Sequence, residues 1–305
     1  MKIKGILTIA RPNFLILAVI LGFLGSAIAW YNHQEFGGTA NPFNLGYAVL
    51  STFGLIIAHM SVNTFNDYFD SRSTLDTKTQ RTPFSGGSGA IQSGLLSEKQ
   101  ALWVGIATLI IIIPIGVFFT VAQGLLLLPL LVAALLCIVI YTPFILRMGY
   151  PEWSAGLGLG ILPVLGAFFV QTGTYNISAL VAAIPSGFLV HNLLLLNEFP
   201  DAEFDVTVKR RTLPISVGKR NAAIFFSVLT GLTYLWIIGG VLLNFMPSFT
   251  LLGLLTFPLG FKAISGSFKY DDRSKFIPAM AANVMTVLLT QLLIGAGYIL
   301  AGIIK

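Results

Sequence analysis

Cysteine is almost missing from this chain, and charge is scarce. One cysteine, Cys137, among 305 residues rules out an intramolecular disulfide framework and leaves the redox compartment unspecified. Charged residues make up 10% of the chain, against roughly 25% in soluble globular proteins. That deficit excludes an ordinary soluble domain. Acids are the rarer sign, 12 against 18 bases. A net charge of +6 would suit a nucleic-acid surface if the bases formed one patch. They are instead scattered among short connections between apolar runs, so no nucleic-acid partner is expected. What fills the chain is oil: 55% hydrophobic residues and a mean hydropathy of +0.85.

A spanning helix needs roughly 20 mostly apolar residues. Runs of that kind are predicted at 14–31, 47–64, 101–120, 123–145, 153–171, 178–196, 221–244, 248–264 and 278–303. The expected fold is therefore all-α, a polytopic membrane protein of about nine transmembrane helices, read as one integral domain over 1–305. Ala122-Gln123-Gly124 leaves room only for a tight turn between the third and fourth runs. Small residues within the runs, such as Gly156, Gly158 and Gly160, suit close helix packing in a membrane. Lys2, Lys4 and Arg11 precede an apolar run too long for a usual signal core. Residues 2–11 are expected to lie along the interface, uncleaved.

The bases test this count. With nine helices, every lysine and arginine except Lys305 falls on one side, at the N-terminus and in the even-numbered loops. The positive-inside rule then makes that side cytoplasmic.

Two acidic stretches stand out, each directly after an apolar run: Asn63-Thr-Phe-Asn66-Asp67-Tyr-Phe-Asp70 and Asn197-Glu198-Phe-Pro-Asp201-Ala-Glu203-Phe-Asp205. Acids at a membrane boundary are costly and mark function. On a continued helix Asn63, Asp67 and Asp70 share a face at i, i+4 and i+7; Asn197, Asp201 and Asp205 do so at i, i+4 and i+8. Pro200 must start or kink the second helix. Converging carboxylates repel one another unless a cation intervenes. Mg²⁺ is the expected cation, since it takes oxygen ligands and commonly bridges carboxylates to phosphate. Arg72, Lys78 and Arg81 lie near the first stretch, and Lys209, Arg210 and Arg211 near the second. Acids and bases in one site suit a metal-bound diphosphate. The run Thr82-Pro-Phe-Ser-Gly-Gly-Ser-Gly89 either offers backbone N–H groups to an anion or is a connector. His59 and His191 are either acceptor-side bases or buried interhelical hydrogen-bond partners. Arg147 and Glu152 read as boundary residues able to pair. The recurrence of Asn-x3-Asp after the second and sixth runs hints at two repeated halves.

These motifs resemble the UbiA superfamily of intramembrane prenyltransferases along nearly the whole chain. The first acidic stretch with Asp76, the second with Arg211-Thr-Leu-Pro214, and the segments Tyr141-Thr-Pro143 and Gly160-Ile-Leu-Pro-Val-Leu-Gly166 carry the resemblance. It implies a helical bundle around a central cavity, with Mg²⁺ between the motifs and a prenyl chain passed from its diphosphate to an acceptor. By matching positions, Asn63, Asp67 and Asp70 hold one metal-diphosphate contact, and Asp201 and Asp205 the other. Asn197 joins the diphosphate-binding set with Arg72 and Lys78. Arg81 and either Lys209 or Arg210 meet diphosphate, and Tyr141 sits near the reacting allylic carbon. Ser71 stands where a third acid is common, so Asp70 or Asp76 supplies that ligand.

Within the family the motifs look most like the dihydroxynaphthoate branch of menaquinone synthesis. Hydroxybenzoate, haem and glyceryl-phosphate lipid acceptors remain open. The expected partners are a polyprenyl diphosphate, its acceptor and the bilayer, with no obligate protein partner evident. An ion-coupled transporter is the rival of another class, but its acids would lie at midplane. A CDP-alcohol transferase lacks its Asp-Gly-x2-Ala-Arg start here.

Overall fold

A computed structural model describes residues 3–36, 43–72 and 82–304. Among these, nine helices are long and apolar enough to cross a membrane. The spans are Pro12–Glu35, Leu45–Arg72, Glu98–Gln123, Leu125–Ile145, Pro151–Thr172, Ile177–Glu198, Lys219–Leu242, Ser248–Ser267 and Arg273–Ile303. Each predicted run finds its helix, because a stretch without charge has no other way to satisfy its backbone in lipid. Many ends extend beyond the apolar run into polar residues. The second span carries on through Arg72 and so brings the whole first acidic stretch onto helix.

An amino-terminal helix, Ile3–Ala10, precedes the first span. It buries Gly5, Ile9 and Ala10 beside Ala90, Leu96, Ala101 and Val104. Arg11 joins it to the first span with a left-handed backbone, φ 50°, sparsely populated for a residue with a Cβ.

The turn between the third and fourth spans is as tight as expected. Gly124 adopts φ 102°, a conformation natural only to glycine. The fifth and sixth spans approach closely through glycines. A Cβ on Gly160 would stand 2.7 Å from the Ser186 carbonyl oxygen and 2.8 Å from Gly187 Cα. The largest core cluster joins the first, fifth, sixth, seventh and ninth spans, with Leu24, Val164, Phe168, Ala183, Ile237 and Ile294 in it. Elsewhere the spans turn Ile, Leu, Val and Phe outward, as lipid-facing helices do.

The eighth span begins as a tighter 3-10 helix over Ser248–Thr256, and two segments near the cavity are wider than α-helix. Tyr141–Ile145 and Leu157–Ile161 are π-helical turns, a widening often found at functional sites. The second acidic stretch is broken: the sixth span ends at Glu198, and a short helix resumes at Ala202–Asp205. Pro200 has no N–H to continue the ladder, so Asn197, Asp201 and Asp205 do not share one helical face as the i, i+4, i+8 spacing predicts. A break followed by a turn brings them to the same cavity.

Candidate active site

A cavity of about 620 Å³ opens between the helices. Its deep wall is apolar, built by Leu17, Leu55, Ile112, Leu131, Leu159 and Leu194 among others. One end is polar, where Asn63, Asn66, Asp70, Asn197, Glu198, Asp201, Asp205 and Arg210 converge. The second and sixth spans each deliver their acidic stretch to this end.

Two guanidinium groups organise the acids. Arg210 donates through Nη2 to Asp70 and through Nη1 to Asp205 at 3.3 Å, so one side chain joins both acidic stretches. Arg11 donates to Asp67, which also accepts from the Ser88 hydroxyl and from the Ser88 backbone N–H at 3.2 Å. Asn63 donates to the Ala10 carbonyl at 3.1 Å. The first acidic helix is thereby tied to the amino-terminal helix and to the glycine-rich loop. Positive φ values at Gly86, Gly87 and Gly89 let that loop fold over the site, where Ser85, Gly86 and Gly87 line the cavity.

Burial raises the Asp205 pKa above the usual carboxylate value, with Arg210 working against the rise. Burial also opposes the charge on Arg210, but Asp70 and Asp205 outweigh it and hold its pKa above the ordinary value. Among the described residues, no three His, Cys, Asp or Glu side chains gather closely enough to hold a metal unaided. The acids are instead spread around the two guanidinium groups.

The cavity sorts the remaining site residues. Tyr141 lines it from the first π-helical turn. Asn66 lines it and donates to Thr142 at 3.5 Å. Lys209 turns with φ 61° and is exposed, so of the two neighbouring bases Arg210 is the one that reaches the acids. Arg72 is exposed and stays on its own helix, donating to the Tyr68 hydroxyl at 3.3 Å. Asp76, Lys78 and Arg81 lie outside the described residues. Ser71, at the position of the missing acid, donates to the Tyr68 carbonyl at 2.8 Å.

Other residues behave differently from the sequence expectation. Glu152 is not an exposed boundary residue, and the side chain of Arg147 lies outside the described residues. Glu152 is fully buried and accepts the Leu213 backbone N–H at 2.6 Å, which anchors the segment that carries Arg210. Glu198, next to Asn197, falls outside the i, i+4, i+8 spacing. It is buried, and no hydrogen-bond donor reaches either of its oxygens among the described residues. His59 lines the cavity, and among the described residues its Nδ1 has no hydrogen-bond partner. His191 bonds not across helices but to the adjacent Asn192, at 3.3 Å, and packs on Trp153 and Phe225. Arg11 reads in sequence as one more interfacial base; only the left-handed junction turns it onto Asp67.

This arrangement has relatives. Over 296 residues the chain is 24% identical to a 1,4-dihydroxy-2-naphthoate octaprenyltransferase of Bacillus subtilis, covering 96% of this chain and 91% of that one. It is 28% identical over 241 residues to a digeranylgeranylglyceryl phosphate synthase of Thermococcus kodakarensis, covering 75% and 76%. A UbiA homolog from Archaeoglobus fulgidus, solved bound to GPP and Mg²⁺, superposes with a TM-score of 0.61 at 16% identity, covering 98% of each chain. Residues 36–290, which hold both acidic stretches and the second through eighth spans, match one family as a unit: the chain is a member of the UbiA prenyltransferase family.

Proposed function

We propose that this protein transfers a polyprenyl chain from its diphosphate to a hydroxylated aromatic acid, of the 1,4-dihydroxy-2-naphthoate kind, with Mg²⁺ as cofactor. The observation that carries the reading is Arg210, which bridges Asp70 and Asp205 at the polar end of an apolar cavity. A prenyl diphosphate has the same division, with charge at one end and hydrocarbon at the other. The naphthoate lean follows from the motifs and from the Bacillus relative. A glyceryl-phosphate lipid acceptor is the second reading, favoured by the Thermococcus relative.

The donor set suits magnesium. Asp67, Asp70, Asp201 and Asp205 offer hard oxygen ligands, Asn63 adds an amide, and Glu198 presents two enclosed oxygens that no donor satisfies among the described residues. Such oxygens are expensive to bury alone, and an oxygen-seeking cation relieves them. Bound there, Mg²⁺ would offset the charge that gathers on the departing diphosphate. The protein's own groups do the rest. Arg210, held between the acidic stretches, neutralises diphosphate oxygens, an effect that grows as the carbon–oxygen bond breaks and so lowers the barrier. Tyr141, which lines the cavity, would stand near the allylic carbon, where an aromatic face can stabilise positive charge. The apolar wall keeps water from the cation until the acceptor carbon attacks. Asn197, at the polar end of the cavity, completes the diphosphate-binding set in this scheme together with Lys78 and Arg81. The chain works as one integral domain, with its N-terminus and both acidic stretches on the cytoplasmic side, as its one-sided bases dictate.

The test is turnover of a radiolabelled polyprenyl diphosphate by the purified protein in lipid, with Mg²⁺ and a panel of acceptors. Prenylated naphthoate is the expected product. Product with glyceryl phosphate alone would favour the second reading, and no transfer to any acceptor would refute both.

A further inference from the structure

His59 interrupts an apolar wall. Leu55, Ala58, His59, Val62 and Asn63 line the large cavity in succession from one face of the second span. At 1.5 Å of rise per residue, His59 stands about 6 Å deeper than Asn63 and about 16 Å from Asp70. It is only 6% exposed. Of its two ring nitrogens Nδ1 is the sealed one, which leaves Nε2 to face the open space, and neither has a hydrogen-bond partner among the described residues. Hydroxyls elsewhere in the cavity wall are already engaged: Ser51 donates to the Ala48 carbonyl at 3.1 Å and Thr120 to the Gly116 carbonyl at 2.8 Å.

We infer that His59 donates a hydrogen bond from Nε2 to a ring oxygen of the prenyl acceptor, and so sets which ring carbon meets the allylic carbon. The inference rests on the transfer reaction proposed above. Burial fixes the tautomer. A neutral imidazole carries one N–H. Placed on Nδ1, that N–H would be sealed away with nothing to accept it, and a buried donor left unmade is costly. A charged imidazolium would strand the same N–H and bury a cation as well. As with backbone groups, an idle acceptor is tolerated more often than an orphaned donor, so the proton belongs on Nε2. Elimination then identifies the partner. The prenyl chain is hydrocarbon and has no oxygen to offer. Its diphosphate belongs with Asp70, Asp205 and Arg210 at the polar end of the cavity, too far along the helix to reach His59. Water could accept the bond, but water at this depth would quench an allylic cation. The acceptor is the remaining oxygen carrier, and an oxygenated ring suits the site: its oxygen meets Nε2 while its hydrocarbon lies against Leu55, Ala58 and Val62. In this tautomer His59 holds its proton at Nε2 and orients the acceptor; it does not act as a base.

The test uses the full chain in lipid with a polyprenyl diphosphate, Mg²⁺ and a set of acceptors: 1,4-dihydroxy-2-naphthoate, the 1-hydroxy and 4-hydroxy analogues that each lack one ring oxygen, and glyceryl phosphate. His59→Leu removes the donor, and His59→Gln keeps an N–H. Steady-state kinetics and equilibrium binding are read together. His59→Leu is expected to raise the dihydroxynaphthoate KM about tenfold and to leave the prenyl diphosphate KM unchanged, with His59→Gln recovering most of the loss. Wild type should lose about tenfold on the analogue without the matched oxygen, and His59→Leu should cost that analogue nothing further. In spectra of the ¹⁵N-histidine-labelled protein, the imidazole signal that disappears in His59→Gln should be that of the Nε2–H tautomer. An unchanged acceptor KM and Kd in His59→Leu, an equal penalty on all three naphthoates, or an Nδ1–H signal would overturn the assignment. His59-dependent binding of glyceryl phosphate in place of naphthoate would overturn its aromatic part. Naphthoate binding that His59→Leu weakens with the same oxygen selectivity, in a protein that transfers no prenyl group, would support the site while refuting the transferase reading.

Discussion

Arg210 donates to Asp70, a residue 140 positions earlier in the chain, and the same guanidinium reaches Asp205 at 3.3 Å. One side chain therefore holds the two acidic stretches together. Arg210→Ala removes the guanidinium that stands between two buried carboxylates, a change that typically costs on the order of 3 kcal/mol. We predict a lower melting temperature and a turnover reduced by about a hundredfold or more, the usual scale for removing a group that stabilises transition-state charge. Arg210→Lys should restore part of the stability but little of the activity, because an ammonium lacks the planar fork that spans two acids. Thermal melts and steady-state rates of the two variants check this; near-normal turnover in Arg210→Lys would refute a bridging role.

Asp67 and Asp201 belong one to each acidic stretch. Asp67→Ala or Asp201→Ala should abolish turnover while the protein remains folded by circular dichroism. A chelator should stop the wild-type enzyme, and added Mg²⁺ should restore it. Near-normal rates in either variant, or indifference to chelator, would sink the metal assignment.

The helices were legible because a chain with so little charge advertises its spans: apolar length is nearly all the information a spanning helix requires. The first acidic stretch was legible for a related reason. The second span continues through Arg72, so i, i+4, i+7 spacing translated directly into a shared face. The second stretch was not, since Pro200 ends one helix and the chain turns before Ala202 begins the next. Periodicity has nothing to say across such a break. Nor could spacing separate Lys209 from Arg210. Their roles diverge because Lys209 takes a left-handed backbone and is exposed. Arg11 and Glu152 depend on partners far along the chain, Asp67 and Leu213, and no local pattern carries that information.

Gly160 offers a test of packing that leaves the chemistry alone. Gly160→Ala would drive a methyl group against the Ser186 carbonyl and the Gly187 backbone, where no flexible side chain can yield. Overpacking of this kind costs about 1–3 kcal/mol. We predict a lower melting temperature and looser association of the fifth and sixth spans, measured by thermal denaturation in detergent. An unchanged melting temperature would mean that the two backbones can separate without penalty.

Topology is checked at the carboxyl end. The ninth span runs from Arg273 to Ile303, and the one-sided bases predict that a reporter fused after Lys305 reads as non-cytoplasmic. A cytoplasmic reading would refute the nine-helix count.

The link between the amino-terminal helix and the first acidic stretch bears on handling the protein. Asn63 holds the last carbonyl of that helix, and Asp67 holds Arg11 just beyond it. Whatever tugs on the first ten residues, be it an affinity tag, a fluorescent partner or a surface tether, tugs on the acid at the centre of the proposed chemistry. Among the described residues the carboxyl-terminal end of the ninth span packs on Trp30 of the first and makes no hydrogen bond to either acidic stretch, which makes it the end of choice for attaching cargo when activity is to be preserved.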